Sequence, residues 1–329
     1  MNDMTTNLAT YSVVLTYSAM AVYVIAFISF ALDMAKRSGQ VTAAAGAGQA
    51  APAERTVATV QGGTVVLEKV DTTSGRSGGG GTKFERVGMA MTILALVLHV
   101  GATVLRGIAA DRVPWGNMFE FSLTGTALIT LIFLLVQFWQ NLKFLGVFIT
   151  GLTIILLGIA TVNYWVPVVP LQPALQSYWL VIHVFVAIAG TGFFALGAGL
   201  AVAQLVQTYR QGRPVSKQLR FMETLPDADR LEVLTYRVLL VGFVLWTFTL
   251  IAGAIWAERA WGRYWGWDTK EVWTFIIWVV YAGYIHARAT RGWRGARSSW
   301  LALIGFAAVM FNFSVVNVFF KGLHSYSGL

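Results

Sequence analysis

Residues 178–206, "YWLVIHVFVAIAGTGFFALGAGLAVAQLV", form an apolar run without a single Asp, Glu, Lys or Arg. A helix rises about 1.5 Å per residue, so roughly 20 apolar residues are enough to cross about 30 Å of hydrocarbon. The run is therefore predicted to be a transmembrane helix. One ionisable side chain, His183, interrupts it near its start.

Seven more apolar runs occur along the chain. Hydrophobic residues make up 57% of the 329 residues and charged residues only 12%, whereas soluble domains carry about 25% charged residues. The sequence therefore predicts an all-α integral membrane protein with eight transmembrane helices. The run nearest the N terminus lacks the basic start and cleavage site of a signal peptide, so we expect it to be retained. The other seven runs are 10–32, 88–110, 118–138, 142–161, 236–257, 272–290 and 299–320.

The basic residues predict an orientation, since Lys and Arg are retained in cytoplasmic loops. Of the 24 Lys and Arg residues, 18 fall in loops on one side of the membrane and six on the other. Eight spans then place both termini on the outer face of the membrane. This topology explains the net charge of +9, whereas a nucleic-acid-binding protein would need basic residues clustered on a soluble surface. The basic loops are 34–87, 139–143, 207–237 and 288–298.

Three parts are expected along the chain. Residues 1–33 hold the first transmembrane helix, 34–87 form a cytoplasmic linker, and 88–329 form a seven-helix core. The linker is rich in Gly, Ala, Ser and Thr and poor in large apolar residues, which predicts that it is largely disordered. The segment "TVVLEKV" at 64–70 has the composition of a local strand.

The chain contains no cysteine. A protein that works by thiol exchange needs a reactive thiol of its own. Any thiol chemistry at this protein would therefore belong to a partner or a substrate. Cys-ligated zinc, iron–sulfur and thiolate-haem sites are excluded for the same reason.

The loop 258–273 faces outward in this topology and contains "WGRYWGWDTKEVW" at 261–273. An interfacial aromatic belt is one explanation for tryptophans at headgroup level. A belt is spread over all helix ends, however, whereas these tryptophans are concentrated in one loop. Gly262 and Gly266 allow close approach of the backbone, which favours a binding loop. Its tryptophans are Trp261, Trp265, Trp267 and Trp273.

Four histidines lie in or beside the predicted spans, where an ionisable side chain is costly and is a candidate for function. His183 lies five residues past the outer start of its helix, and His324 follows the outer end of the eighth helix. Imidazole is a common axial ligand of haem iron, and indole faces stack on flat aromatic ligands. The two histidines and the loop predict a haem pocket, with Arg263 and Lys270 as candidate partners of the propionates. A histidine hydrogen-bonded inside the bundle is the alternative for each.

The other two histidines lie deeper. His286 is near the inner end of the seventh helix, and His99 is near the middle of the second. Their depths differ by roughly 10 Å at 1.5 Å per residue. This difference disfavours a single iron shared by the two.

The tryptophan-rich loop resembles the WWD domain of haem-handling membrane proteins. Three further segments, "DRVPWGNMFEF", "PLQPALQSYWLVIHV" and "GLHSYSG", resemble the CcsA family of System II cytochrome c biogenesis, whose members are also called ResC or, in some bacteria, CcsB. The resemblance covers nearly the whole chain outside 38–82. The loop alone would not separate this family from its System I relatives.

This resemblance implies that the loop binds haem b at the outer face, with His183 and His324 as axial ligands. It implies that His286 ligates haem within the membrane, opposite a ligand from a ResB/CcsB-type membrane subunit. His99 is either an alternative membrane ligand or a structural histidine. Asp268, with the two outer histidines, is a candidate catalytic residue, although a bond within the loop suits it better. A structural network is expected for Arg106, Asn117 and Glu120.

The resemblance also implies a reaction. A haem lyase, or holocytochrome c synthase, joins the vinyl groups of exported haem to the thiols of CXXCH apocytochrome c, which a thioredoxin-like protein keeps reduced. The chain would then be one subunit, active with its ResB-type partner. Two other functions stay open: a haem carrier that forms no bond, and a b-type cytochrome that passes electrons between two haems.

Overall fold

The computed structural model describes residues 3–47, 56–61, 64–69, 82–171, 175–211, 222–223, 225–290 and 292–324. Helices dominate this part of the chain, and each predicted apolar run falls on a helix. The elements are α1 (Asp3–Ala47), β1 (Thr56–Gln61), β2 (Thr64–Lys69), α2 (Lys83–Ala110), α3 (Met118–Val136), a 3-10 turn (Lys143–Leu145), α4 (Gly146–Asn163), α5 (Tyr178–Arg210), α6 (Ala228–Trp261), α7 (Thr269–Thr290), α8 (Ala296–Phe313) and α9 (Val315–Phe319).

Seven helices in the described residues are long and apolar enough to cross a membrane, so the chain is a multi-pass membrane protein. Helix α7 is not among the seven. Its 22 residues include Lys270, Glu271, His286 and Arg288 together with several Trp and Tyr residues, which lower its apolar character. The seven spans are Met4–Gly39, Lys83–Ala110, Met118–Val136, Lys143–Asn163, Tyr178–Arg210, Ala228–Trp261 and Ala296–Phe319.

The first helix is longer than the sequence predicts. It continues past residue 33 to Ala47, into the segment assigned to the linker. Ion pairs stabilise the extension: Arg37 Nε donates to Asp33 Oδ2 at 2.8 Å, and Arg37 also pairs with Glu85 of α2. Hydropathy does not register such pairs, which explains the misplaced boundary.

The predicted strand at 64–70 corresponds to β2, which pairs with β1 as an antiparallel hairpin. Three stretches of the predicted linker thus have regular structure: the end of α1, this hairpin and the start of α2 at Lys83. Residues 48–55, 62–63 and 70–81 lie outside the described residues.

Close contact between α5 and α6 depends on glycine. A Cβ added at Gly197 would overlap Leu239, and one added at Gly242 would lie 2.8 Å from Phe194 Cδ1. Small residues let transmembrane helices approach closely where there is no hydrophobic force between them. Helix α6 is therefore held against α5, the helix that carries His183.

Arg106, Asn117 and Glu120 form the expected network where α2 ends and α3 begins. Arg106 Nε lies 3.0 Å from Glu120 Oε1, and both side chains are almost fully buried. Arg112 Nη1 pairs with Glu120 Oε2 at 2.6 Å, and Asn117 Oδ1 accepts from the Glu120 N–H. Arg106 Nη2 also donates to the carbonyl of Val166 at 2.8 Å. The network therefore fixes the segment after α4 to α2 and α3.

Replacing Glu120 with alanine is expected to destabilise the protein by about 3–5 kcal/mol, because Arg106 would remain buried without its partner. The decrease in the thermal midpoint of the protein in detergent, monitored by size-exclusion chromatography, measures this effect. Glu258→Ala is the matched control, since Glu258 pairs with Arg259 at the surface, where ion pairs contribute about 0–1 kcal/mol. Equal midpoints for the two variants would refute the structural role of Glu120.

Candidate functional site

A large cavity opens at the end of the bundle where α6 turns into α7. Its empty space, counted out to the open mouth, is about 1640 Å³, and both His183 and His324 line it. Deeper in the bundle it is lined largely by apolar side chains such as Ile129 and Phe306. A largely apolar wall with a few polar side chains is the usual lining of a small-molecule site.

Helix α6 fixes the ring of His183, which projects from α5. Its Nδ1 lies 3.0 Å from the carbonyl oxygen of Thr249, and a carbonyl can only accept, so Nδ1 carries the proton. Trp256 stacks on the ring at 5.9 Å between centroids and 14° between planes. Gly253 lies against the same ring, where an added Cβ would be 2.7 Å from Cε1. Nε2 is therefore the ring nitrogen left to bind a ligand.

Asp268 fixes the ring of His324 in the same way. His324 Nδ1 lies 2.8 Å from Asp268 Oδ2, and Asp268 Oδ1 accepts from the backbone N–H of Leu323 at 3.2 Å. The hydrogen bond from His324 is the main cause that lowers the pKa of Asp268 below its usual value. Asp268 therefore stays ionised at neutral pH. Trp261 and Trp256 pack on the His324 ring, with centroids at 4.8 and 5.4 Å.

This pattern is that of histidines that bind metal. Such histidines usually donate one ring N–H to a carbonyl or carboxylate, which fixes the tautomer and makes the other nitrogen a better ligand. His183 uses a carbonyl and His324 a carboxylate, and both line one cavity. Imidazole nitrogens of this kind are common ligands of porphyrin iron.

A single carboxylate folds the tryptophan-rich loop. Glu271 Oε2 accepts from the N–H groups of Gly266 at 2.8 Å and Asp268 at 3.0 Å. Gly262, with φ 70°, ends α6 in the left-handed conformation, and Trp267 also has a positive φ of 60°. The loop therefore reverses tightly into α7 and carries Asp268 to His324.

The four predicted tryptophans have different positions. Trp265 lines the cavity, and Trp261 packs on His324. Trp267 is 75% exposed, and Trp273 packs on Phe311 at 4.3 Å. The structure therefore brings Trp261 and Trp265 to the site, with Trp267 packed edge-on against Trp265 at 5.9 Å, whereas Trp273 lies outside the described lining of the cavity.

The two predicted cations also differ. Lys270 lines the cavity, and its Nζ donates to Asn317 Oδ1 at 2.7 Å and to the carbonyl of Asn312 at 3.1 Å. The guanidinium of Arg263 lies over Gly266, where it occupies the space that a Cβ would need. Lys270 is therefore the predicted cation that the structure places at the cavity.

His286 and His99 lie away from the described lining of the cavity. His286 is exposed on α7, and nothing lies within 4 Å of a Cβ placed at nearby Gly283. His99 is fully buried, with its Nδ1 3.3 Å from the hydroxyl of Tyr23 in α1. The contact with Tyr23 fits a structural histidine at position 99, and the role of an alternative membrane ligand stays a prediction.

Sequence reasoning missed the α6 side of the site. Thr249, Gly253 and Trp256 follow the spacing of one helix face, and all three contact His183. That spacing was the pattern in the sequence that could have identified these three residues. Glu271 follows Asp268 by three residues, the spacing of a capping box, and this pattern would have identified the residue that folds the loop.

Asp268→Asn is expected to weaken ligand binding at this site by about 10- to 100-fold, the usual effect of removing a group that orients a metal-binding histidine. Haem titration of the purified protein measures it. Because the pKa of Asp268 is lowered on folding, its contribution to stability is present above about pH 4 and is lost as the pH falls further. Protonation of Asp268 should therefore cause no pH dependence of ligand binding between about pH 5 and 8. Asp111→Asn is the control, since exposed Asp111 has a left-handed φ of 51° that asparagine tolerates.

Comparisons with known proteins show the family to which the chain belongs. The family model described as cytochrome C assembly protein matches residues 115–324. The chain is 35% identical over 261 residues to the cytochrome c biogenesis protein CcsA of Guillardia theta, covering 74% of this chain and 86% of that protein. It is 34% identical over 283 residues to CcsA of Synechococcus elongatus, covering 73% and 86%.

A solved structure, Cytochrome c Heme Lyase CcmF, shares the fold with a TM-score of 0.61 at 16% identity. The likeness covers 93% of this chain and 46% of that one, so the chain spans about half the length of that protein. The sequence resemblance to CcsA is thus confirmed, and the chain belongs to the CcsA family of cytochrome c assembly proteins.

Proposed function

We propose that this chain is the membrane subunit of a System II cytochrome c synthase, which exports haem, holds it at the outer face and supports its attachment to apocytochrome c. One observation carries the proposal: His183 and His324 line one cavity, and each is fixed through Nδ1 by a partner that only accepts. Two imidazoles whose orientation is already fixed are a suitable pair of ligands for one haem iron. Haem is the substrate in this account.

In the proposed topology α7 is the eighth span and both termini lie outside. Its 22 residues give a length of about 33 Å, enough to cross the hydrocarbon region. Lys270 and Arg288 near its two ends have partners inside the bundle, Asn317 for Lys270 and Glu232 for Arg288. With the basic loops inside, the cavity opens to the outer face of a bacterial plasma membrane.

In the proposed site His183 and His324 are the axial ligands, and one is displaced when the apocytochrome supplies its own histidine. Trp265 at the cavity wall and Trp261 beside His324 hold the haem plane. Asp268 is a positioning residue that acts through His324. Trp267, whose ring packs edge-on against Trp265, and Trp273, which packs on Phe311, are proposed to complete the platform.

The proposed chemistry adds a thiol across a vinyl group. A sulfur–carbon bond forms, the vinyl π bond breaks, and the proton of the thiol ends on the terminal vinyl carbon, so no oxidant or reductant is consumed. The thiols belong to the CXXCH segment, kept reduced by a thioredoxin-like protein, since the chain has no cysteine. The chain contributes orientation, and holding reactants in a productive geometry can supply about 7–11 kcal/mol of a barrier.

The membrane site is proposed to form with a ResB/CcsB-type subunit. His286 is exposed on α7 beside Gly283, which leaves open space next to it. An ionisable side chain that faced lipid alone would be costly. A partner helix on this face would cover His286 and bring the opposing ligand to a haem on its way outward.

Expression with a ResB-type partner, in a strain without other cytochrome c biogenesis systems, tests this function. The proposal expects covalent cytochrome c from a CXXCH reporter, seen as haem that stays with the polypeptide in denaturing electrophoresis. A reporter in which both cysteines are serine is the control. A haem carrier would instead accumulate bound haem without covalent product, and a b-type cytochrome would show reversible reduction by quinol.

A further inference from the structure

The ammonium group of Lys270 lies at the cavity without an ionic partner. Its two acceptors are neutral, the Asn317 side-chain oxygen and the Asn312 carbonyl. Among the described residues, no carboxylate oxygen lies within 4.0 Å of Nζ. An ammonium has three N–H donors, so one donor is left for a ligand.

The surroundings make an unpaired charge costly. Lys270 is the one Lys or Arg among the described residues that line the cavity, and most of the others are apolar. The carboxylate that also lines the cavity, Glu271, already accepts from Gly266 and Asp268. A charge removed from water needs a partner of opposite sign, and Asp268, the carboxylate whose charge acts on Lys270, already pairs with His324.

The position of Lys270 in its helix also favours an anionic ligand. It is the second residue of α7, and the N-terminus of a helix carries a partial positive charge that disfavours a cation and favours an anion. A carboxylate bound at Nζ would be stabilised by both the ammonium and the helix. The missing partner is therefore an anionic group of the ligand.

We propose that Lys270 binds a carboxylate of the porphyrin and so determines which edge of the ring enters the cavity. This inference rests on the proposed function. Haem carries its two propionates on one edge and its two vinyl groups on the other half of the ring. With the propionate edge at Lys270, the vinyl half faces away from Lys270, where thiols of the substrate can reach it. Arg263, which lies over Gly266, does not share this role.

The test compares haem with its dimethyl ester, in which both propionates are neutral. Each porphyrin is titrated into the purified full chain, and the dissociation constants are taken from the absorbance spectra. The wild type should bind haem about tenfold or more tightly than the ester, as expected for a hydrogen bond between charged groups. Lys270→Met should remove this preference by weakening haem binding alone, and Lys270→Arg should retain it. Lys321→Met, which changes an exposed lysine close to His324, should bind both porphyrins as the wild type does.

Equal weakening of both porphyrins by Lys270→Met would overturn the inference, because it would mean that Lys270 serves only to hold Asn312 and Asn317. Equal binding of haem and ester by the wild type would overturn it as well. Either result leaves the proposed function intact, provided that the wild type binds haem. A wild type that binds neither porphyrin would overturn the proposed function itself.

Discussion

Replacing His183 or His324 with glycine is expected to abolish cytochrome c maturation, and added imidazole is expected to restore it. Each histidine is already oriented through Nδ1, His183 by the Thr249 carbonyl and His324 by Asp268. Glycine leaves a space that free imidazole can enter to supply the missing nitrogen. We expect maturation to fall at least about 100-fold, more than the loss from a group that only orients a ligand. The yield of covalent haem on a CXXCH reporter, with and without imidazole, measures both effects.

The control for this experiment is Val181→Gly. Val181 lies two residues before His183 on α5 and is 38% exposed. A glycine in a helix interior costs about 1 kcal/mol, so this variant reports the cost of glycine in α5 without loss of a ligand. Normal maturation by both histidine variants without imidazole would show that the two side chains are not the ligands.

Replacing His286 with alanine is expected to empty the His183–His324 site as well as the membrane site. His286 lies outside the described lining of the cavity, so its loss cannot act by direct contact with haem there. The expected cause is a loss of haem delivery, since haem would no longer be transferred from the membrane site to the His183–His324 site. We expect haem content of the complex purified with its ResB-type partner to fall about tenfold or more, the loss typical of changes at a metal site.

His99→Ala is the matched control for this second prediction. His99 is fully buried and lies 3.3 Å from the hydroxyl of Tyr23, so its loss should lower thermal stability while haem still reaches the His183–His324 site. Full haem occupancy of that site in the His286 variant would instead show that haem arrives by another route.

Much of the fold can be predicted from the sequence, because long apolar runs have few alternatives to a transmembrane helix. The helix ends are less predictable, since polar residues outside the runs determine them. Helix α2 begins at Lys83, where Thr82 accepts from the Glu85 N–H, five residues before the apolar run predicted at 88–110.

The two outer histidines of the candidate site are predictable from the sequence, and the groups that support them are less so. His183 and His324 both fall in the outer leaflet in the sequence-based topology, and they do line one cavity. The contact between Asp268 and His324 joins residues 56 positions apart, which no local pattern reveals. Trp256 lies outside the tryptophan-rich stretch, and a single tryptophan in a long helix gives little signal by itself.

The spectrum of haem bound to the purified chain tests the central claim most directly. The chain is loaded with ferric haem without its partner, and the iron is examined by electron paramagnetic resonance. We predict a low-spin signal with two imidazole ligands, which becomes high-spin in His183→Gly and in His324→Gly and returns when imidazole is added. A low-spin signal that is unchanged in both variants, or a wild type that binds no haem, would contradict the account.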